Sequence, residues 1–366
     1  MEDLFAGIMQ STYYDWSMIA IGLVLIYLAV KKGFEPTLLI PMGFGCIMAN
    51  IPLTGALGDG GVLTIFKDAL INTEIAPLLI FIGVGAMIDF GPLLSNPKML
   101  LFGAAAQFGI FATLVFASLL GYPLKEAASI GIIGAADGPT AIFVANKLAK
   151  NLIAPISVAA YSYMSLVPII QPPVVKALTT KEERRIKMPY KPEGISKTVK
   201  LLFPIIVTII SGIIAPESVA LIGFLMFGNF IRECGVLDRL SNSAQNELVN
   251  ITTILLGLTI GGTMVGSEFL KPQTLVIIAL GLVAFIFDTA GGVIFVKILN
   301  LFSKQKVNPM VGAAGISAFP MSARVMQKMA QKEDPSNFIL MHAIGANVAG
   351  QIGSVIAGGL ILALIH

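Results

Sequence analysis

Long apolar runs separated by short polar breaks recur along the whole chain, at 19–30, 75–90, 99–120, 201–214, 251–265, 275–287 and 352–365. Several approach the roughly 20 residues a helix needs to cross a hydrocarbon layer, and small or uncharged neighbours extend the shorter ones. The pattern predicts spans near 16–30, 36–51, 75–95, 99–120 and 153–175, then near 200–214, 217–230, 248–266, 273–300 and 337–363. Two segments interrupt it. Residues 126–149 and 308–330 are rich in glycine and proline and too polar for plain spans, and each is expected to be a re-entrant, broken hairpin. The expected fold is all-α, a polytopic membrane protein.

Composition sharpens that picture. Of 366 residues, 56% are hydrophobic and only 12% charged, against roughly 25% charged in a soluble domain. The basic residues concentrate in 176–200, where Lys181, Arg184, Arg185, Lys187, Lys191 and Lys197 stand with Pro189 and Pro192. Positive charge marks this loop as cytoplasmic. A net charge of +3 gives no sign of a nucleic-acid partner. The acidic N-terminus lacks the basic lead of a signal peptide, so the first span is expected to be retained. Cys46 and Cys234 lie in apolar stretches without metal-ligand spacing and read as small hydrophobes.

The basic loop divides two similar halves. Pro36 and Gly43-Phe44 return as Pro216 and Gly223-Phe224, shifted by 180, and Gly85-Ala-Met87 returns as Gly262-Thr-Met264, shifted by 177. Gly131-Ile-Ile-Gly134 with Pro139, Lys147 and Ala149 returns as Gly312-Ala-Ala-Gly315 with Pro320, Lys328 and Ala330, shifted by 181. The reading is one repeat at 1–178, a cytoplasmic linker at 179–199 and a second repeat at 200–366. Five spans per half, an odd number, make the repeats inverted, so the hairpins enter from opposite faces and meet near the midplane.

Irregular backbone at membrane depth survives only around protein or a polar cavity, which makes both hairpins candidate sites. In the first, Asp137 precedes Gly138-Pro139-Thr140. Carboxylate, hydroxyl and freed carbonyls are hard oxygen donors suited to an alkali cation. Asp137 is read as such a ligand, as a proton carrier, or as a cap on the helix beginning at Pro139. Charge buried in a membrane is costly enough to favour a functional role. In the second, Asn308, Gly312 and Ser317 precede Arg324, whose planar guanidinium matches carboxylates. Arg324 binds an anionic substrate, balances Asp137, or snorkels to an interface. Beyond the hairpins lie Tyr161, Ser162, Tyr163 and Gln171, then His342, Asn347 and Gln351. Tyr163 is a candidate proton donor, and Asp288 and Asp89 are further intramembrane carboxylates. Phosphate-loop, dinucleotide, zinc and serine-hydrolase signatures are absent.

The run Gly131-Ile-Ile-Gly-Ala-Ala-Asp137-Gly-Pro-Thr-Ala-Ile-Phe-Val-Ala-Asn-Lys-Leu-Ala149 closely resembles a signature of the beta subunits of biotin-dependent sodium-translocating decarboxylases. That family includes oxaloacetate, methylmalonyl-CoA and glutaconyl-CoA enzymes. The likeness continues through Gly83–Pro92, Ala160-Tyr-Ser-Tyr-Met164, Val167-Pro-Ile-Ile-Gln-Pro-Pro173 and Asn308–Arg324. It implies a subunit of the bacterial inner membrane that decarboxylates carboxybiotin presented by a carrier subunit, with no covalent biotin of its own. CO2 release would be coupled to Na+ export and proton consumption. Expected partners are a carboxyltransferase alpha subunit, the biotin carrier, a small membrane gamma or delta subunit, membrane lipid and further copies of the chain. By matching position, Asp137 and Tyr163 would handle sodium and protons. Asn308, Gly312, Ser317 and Arg324 would complete the sodium and carboxybiotin site. The chain lacks the extra length expected of oxaloacetate-type members, which favours an acyl-CoA enzyme. A sodium-coupled carboxylate symporter is the competing reading; a channel or inert scaffold leaves the carboxylates unexplained.

Overall fold

The computed structural model describes residues 7, 9–33, 36–189 and 194–365; residues 1–6, Lys191 and Pro192 of the sequence reading lie outside these. Among the described residues every regular element is helical. Six helices are long and apolar enough to cross a membrane, or seven if a bent pair forms one span. The chain is a multi-pass membrane protein.

The first half begins with α1 (Tyr13–Lys32), opened by a reciprocal Thr12–Asp15 capping box and closed by Gly33 in the left-handed region at φ 68°. Only glycine adopts that conformation without cost. There follow α2 (Pro36–Ala49), α3 (Val62–Phe66, continued by a π-helical turn), α4 (Ile75–Met87) and α5 (Gly91–Ser95). Then come α6 (Met99–Ala105), α7 (Phe108–Leu119), α8 (Leu124–Gly131), α9 (Gly138–Leu148) and α10 (Ile153–Leu178). The second half contains α11 (Lys197–Ile214), α12 (Val219–Glu233), α13 (Val249–Gly262), α14 (Pro272–Phe302), α15 (Pro309–Ala313), α16 (Met321–Glu333) and α17 (Leu340–Leu364).

Each expected span contains a helix, with three differences that have local causes. The span expected at 75–95 breaks after Met87, where Asp89 Oδ1 accepts from Gly91 N at 2.8 Å and starts a new turn. The span at 99–120 breaks into α6 and α7 around Ala106-Gln107, where Asp288 Oδ1 reaches in from α14 to accept from Ile110 N at 3.1 Å. The third is an addition: the segment Val62–Asn72 meets α4 at a 61° bend.

Packing is paired across the halves. Helix α2 packs on α13 as α4 packs on α12, and α10 packs on α14 as α6 packs on α17. Two asparagines show the same relation. Asn50 Nδ2 donates to the Met264 carbonyl at 2.7 Å, just beyond α13, and Asn229 Nδ2 donates to the Ile88 carbonyl at 2.9 Å, just beyond α4. Helices α1 and α11 are mostly exposed, whereas α10, α14 and α17 form the buried centre.

Both irregular segments return to where they began. At the base of the first, Asn151 Nδ2 donates to Glu126 Oε1 at 3.0 Å, joining the residues that flank α8 and α9. At the base of the second, Asn308 and Asn337 donate to the same two carbonyls, Arg184 O and Ile186 O, at 2.9–3.3 Å. Helix α10, with 26 residues and therefore about 39 Å long, separates the first base from the loop that holds the second. The tips meet: Ser317 N donates to Ala135 O at 3.0 Å.

Candidate functional site

At that meeting point Ala136 takes a left-handed conformation, φ 52°, between a 3-10 turn and α9. A side chain there costs about 1–2 kcal/mol, and it turns Asp137 off the helix axis into the bundle. Asp137 is 3% exposed. Its Oδ1 caps α9 through Thr140 N at 3.3 Å. Its Oδ2 accepts from Thr140 Oγ1 at 2.7 Å, Ser354 Oγ at 2.7 Å, Gln351 Nε2 at 3.1 Å and Ser317 Oγ at 3.2 Å. The cap and the ligand cluster are therefore one residue using its two oxygens.

The electrostatics of this cluster are unusual for a buried charge. Among the described residues no cation lies within ion-pair distance of Asp137, and no group of three acidic, histidine or cysteine residues suits a multivalent metal. Ser354 Oγ also lies 3.0 Å from Ser317 Oγ and from the Gln351 carbonyl, although its single proton serves one acceptor at a time. Three hydroxyl oxygens, an amide and one carboxylate can turn lone pairs inward without moving the backbone. Such a set neutralises one positive charge, a proton or an alkali cation.

The structure separates the other sequence candidates. Thr140 and Ser317 join Asp137; Asn308, Gly312, Tyr163, Arg324, Asp288 and Asp89 do not. Asn308 pins the base of the second hairpin. Gly312 lies backbone to backbone with α14, where an added Cβ would sit 2.1 Å from the Gly292 carbonyl oxygen. The Tyr163 hydroxyl donates to the Ile278 carbonyl of α14, and its ring stacks on Phe285. Instead Tyr161 lies beside the cluster: an added Cβ on Gly138 would be 2.4 Å from its ring. Residues two apart on a helix point about 200° apart, so the rings meet different places: Tyr161 covers Gly138, whereas Tyr163 lies with Ile133 beside Gly281 of α14. Asp288 is fully buried beside Gly134 with Oδ2 unpartnered. Asp89 is half-exposed and pairs with Lys200 at 3.3 Å. Sequence reasoning missed Ser354; its signal was its place one turn beyond Gln351 on α17.

Arg324 is exposed and lines a cleft of about 430 Å³ between α10 and α16. Ser165, Pro168, Pro172 and Lys176 of α10 form one wall, spaced to share a helical face. Tyr161 belongs to the same face, one turn or about 6 Å deeper than Ser165. The cleft's α10 wall and the ring that covers Gly138 thus lie on one helical face.

A family model described as Na+-transporting oxaloacetate decarboxylase beta subunit matches residues 14–365. The chain is 53% identical to glutaconyl-CoA decarboxylase subunit beta of Acidaminococcus fermentans over 98% of this chain and 96% of that protein. It is 52% identical to methylmalonyl-CoA decarboxylase subunit beta of Veillonella parvula over 98% of this chain and 95% of that protein. It is 46% identical to the oxaloacetate decarboxylase beta chain of Klebsiella pneumoniae over 94% of each chain.

Proposed function

The chain belongs to the family of Na+-transporting decarboxylase beta subunits, and from that premise we propose how its own residues couple decarboxylation to sodium movement. Carboxybiotin on a partner's carrier domain enters the cleft between α10 and α16, and Arg324 holds its carboxylate through the two-pronged geometry a guanidinium offers. The N–CO2 bond breaks, CO2 leaves, and the electron pair stays on the ureido nitrogen until a proton from outside reaches it. Moving an N-carboxylate away from water favours this loss. Asp137 alternates between Na+ bound from the cytoplasm and the incoming proton. Thr140, Ser317, Gln351 and Ser354 complete the sodium shell. Tyr163 acts by holding α14 against α10.

The observation that carries this reading is the meeting of two irregular segments at one buried carboxylate surrounded by oxygens, with no described cation in ion-pair range. The repeats are read as inverted, with the membrane being the bacterial inner membrane. Partners are the carboxyltransferase alpha subunit, the biotin carrier, a small gamma or delta subunit and further copies of the chain. An acyl-CoA substrate for the whole enzyme is supported by alignment length. Acyl-CoA relatives align over 360–373 positions at 50–53% identity, whereas oxaloacetate chains align over 406–432 positions at 45–46%.

The test is sodium uptake into inverted vesicles containing the assembled complex. Uptake is expected to require a decarboxylatable substrate, to stop with avidin, and to disappear together with decarboxylation in Asp137→Asn. Uptake that ignores avidin and follows an external carboxylate instead would restore the symporter reading.

A further inference from the structure

Helix α16 carries Arg324, Lys328 and Lys332 at four-residue intervals, so three cations share one face. All three are exposed and line the cleft, and Lys176 faces them from α10. Like charges at this spacing destabilise a helix, and the fold does nothing to relieve it. None of the four has an ion-pair partner among the described residues. The one acid lining the cleft, Glu333, is already committed: its Oε1 accepts from Arg184 Nε at 2.8 Å and its carbonyl from Arg185 Nε at 3.1 Å. The inner surface between the cations is apolar, made by Pro168, Pro172, Met321, Val325 and Met329.

We infer that Lys176, Lys328 and Lys332 form a docking rim for an acidic protein surface, that of the carrier domain surrounding its biotinyl arm. The inference rests on the cleft's being the carboxybiotin entrance. The division of labour follows from depth and chemistry. An aliphatic arm with a compact ureido head suits the apolar inner surface of the cleft. A folded carrier is too large for it and must stop at the mouth, where the unpaired lysines stand. Anionic lipid is the weaker match. Helix α16 is not among the helices apolar enough to cross a membrane, and the cations converge on a concavity between two helices of the same chain. Charge placed on a rim governs encounter rate and salt dependence more than the chemical step.

The experiment uses the full-length subunit in nanodiscs of neutral lipid, with purified biotin carrier subunit titrated at low and at physiological salt. In the double variant Lys328→Glu, Lys332→Glu, the carrier is expected to bind about tenfold more weakly at low salt. The steep salt dependence of the wild type should flatten in that variant. Lys328→Arg, Lys332→Arg keeps the charge and should bind like wild type, separating charge from folding. Turnover of carrier-bound carboxybiotin should fall at least about tenfold further than turnover of free carboxybiotin. Carrier affinity equal to wild type in the charge-reversed variant overturns the proposal. So does a lysine dependence that appears only when phosphatidylglycerol is added, which assigns the rim to lipid. If the wild type binds carrier through these charges yet decarboxylates no carboxybiotin, the rim stands and the assigned reaction fails.

Discussion

Asp137 and Asp288 are both buried carboxylates at breaks in membrane helices, yet their surroundings have little in common. Asp137 caps α9 with one oxygen and gathers three hydroxyls and an amide on the other. Asp288 caps α7 with one oxygen and leaves the other bare against Gly134. On the assignment proposed above, burial alone does not distinguish the ion site at Asp137 from the structural acid at Asp288. The number and mobility of neighbouring oxygens does, because an ion must trade its hydration shell for replacements of equal number.

The most severe test of this contrast is Asp137→Asn. It keeps the cap and the volume but removes the charge, and decarboxylation and sodium transport are expected to fall together by about 10²-fold or more. A variant that turns over like wild type, in the presence of sodium, leaves Asp137 as a cap alone. Ser354→Ala and Ser317→Ala come next. Each removes one oxygen, and the sodium concentration for half-maximal turnover should rise by about tenfold with the maximal rate largely kept. A fall in rate at all sodium concentrations would place the hydroxyls in the chemical step instead.

That pair also shows where sequence reading stops. The two helix breaks were legible because glycine, proline and polar groups interrupt apolar runs, and Asp137 stood out because a carboxylate in such a segment has few bland explanations. Ser354 was not, since it lies in an uninterrupted apolar helix among Gly350, Gly353, Gly358 and Gly359, where serine reads as one more small packing residue. The choice between Tyr161 and Tyr163 depends on the rotation of α10, which neighbouring helices set. Val62–Asn72 escaped because Lys67 and Asp68 break its apolar pattern. Asn308 was expected as a ligand from the family resemblance alone, and its amide nitrogen is spent on the loop carbonyls.

Asp288→Asn is the smaller perturbation. An amide oxygen can still accept from Ile110 N, so the expected loss is about 1 kcal/mol of stability, seen as a lower unfolding temperature, with unchanged sodium dependence. A large rise in the sodium requirement would make Asp288 a second ion site and end the contrast drawn here. Smallest of all is Asp89→Asn. Its partner Lys200 is 3.3 Å away and its side chain is 46% exposed, so screened by solvent the pair contributes at most about 1 kcal/mol, declining with added salt. A thermal-shift series against salt would show it.

The doubled grip on the Arg184 and Ile186 carbonyls has a mechanical consequence. With Asn308 at one foot and Asn337 at the other, the second hairpin is an arch whose feet share a single footing. An arch pinned in this way transmits a push on its flank as a tilt of its crown, with its span held fixed. A load applied at the cleft mouth along α16 would be felt at Ser317, where the crown meets Ala135 and Asp137. Asn337→Ala would test this lever, because one foot would lose its anchor while every residue around Asp137 stayed in the molecule, and the sodium concentration for half-maximal turnover is expected to rise.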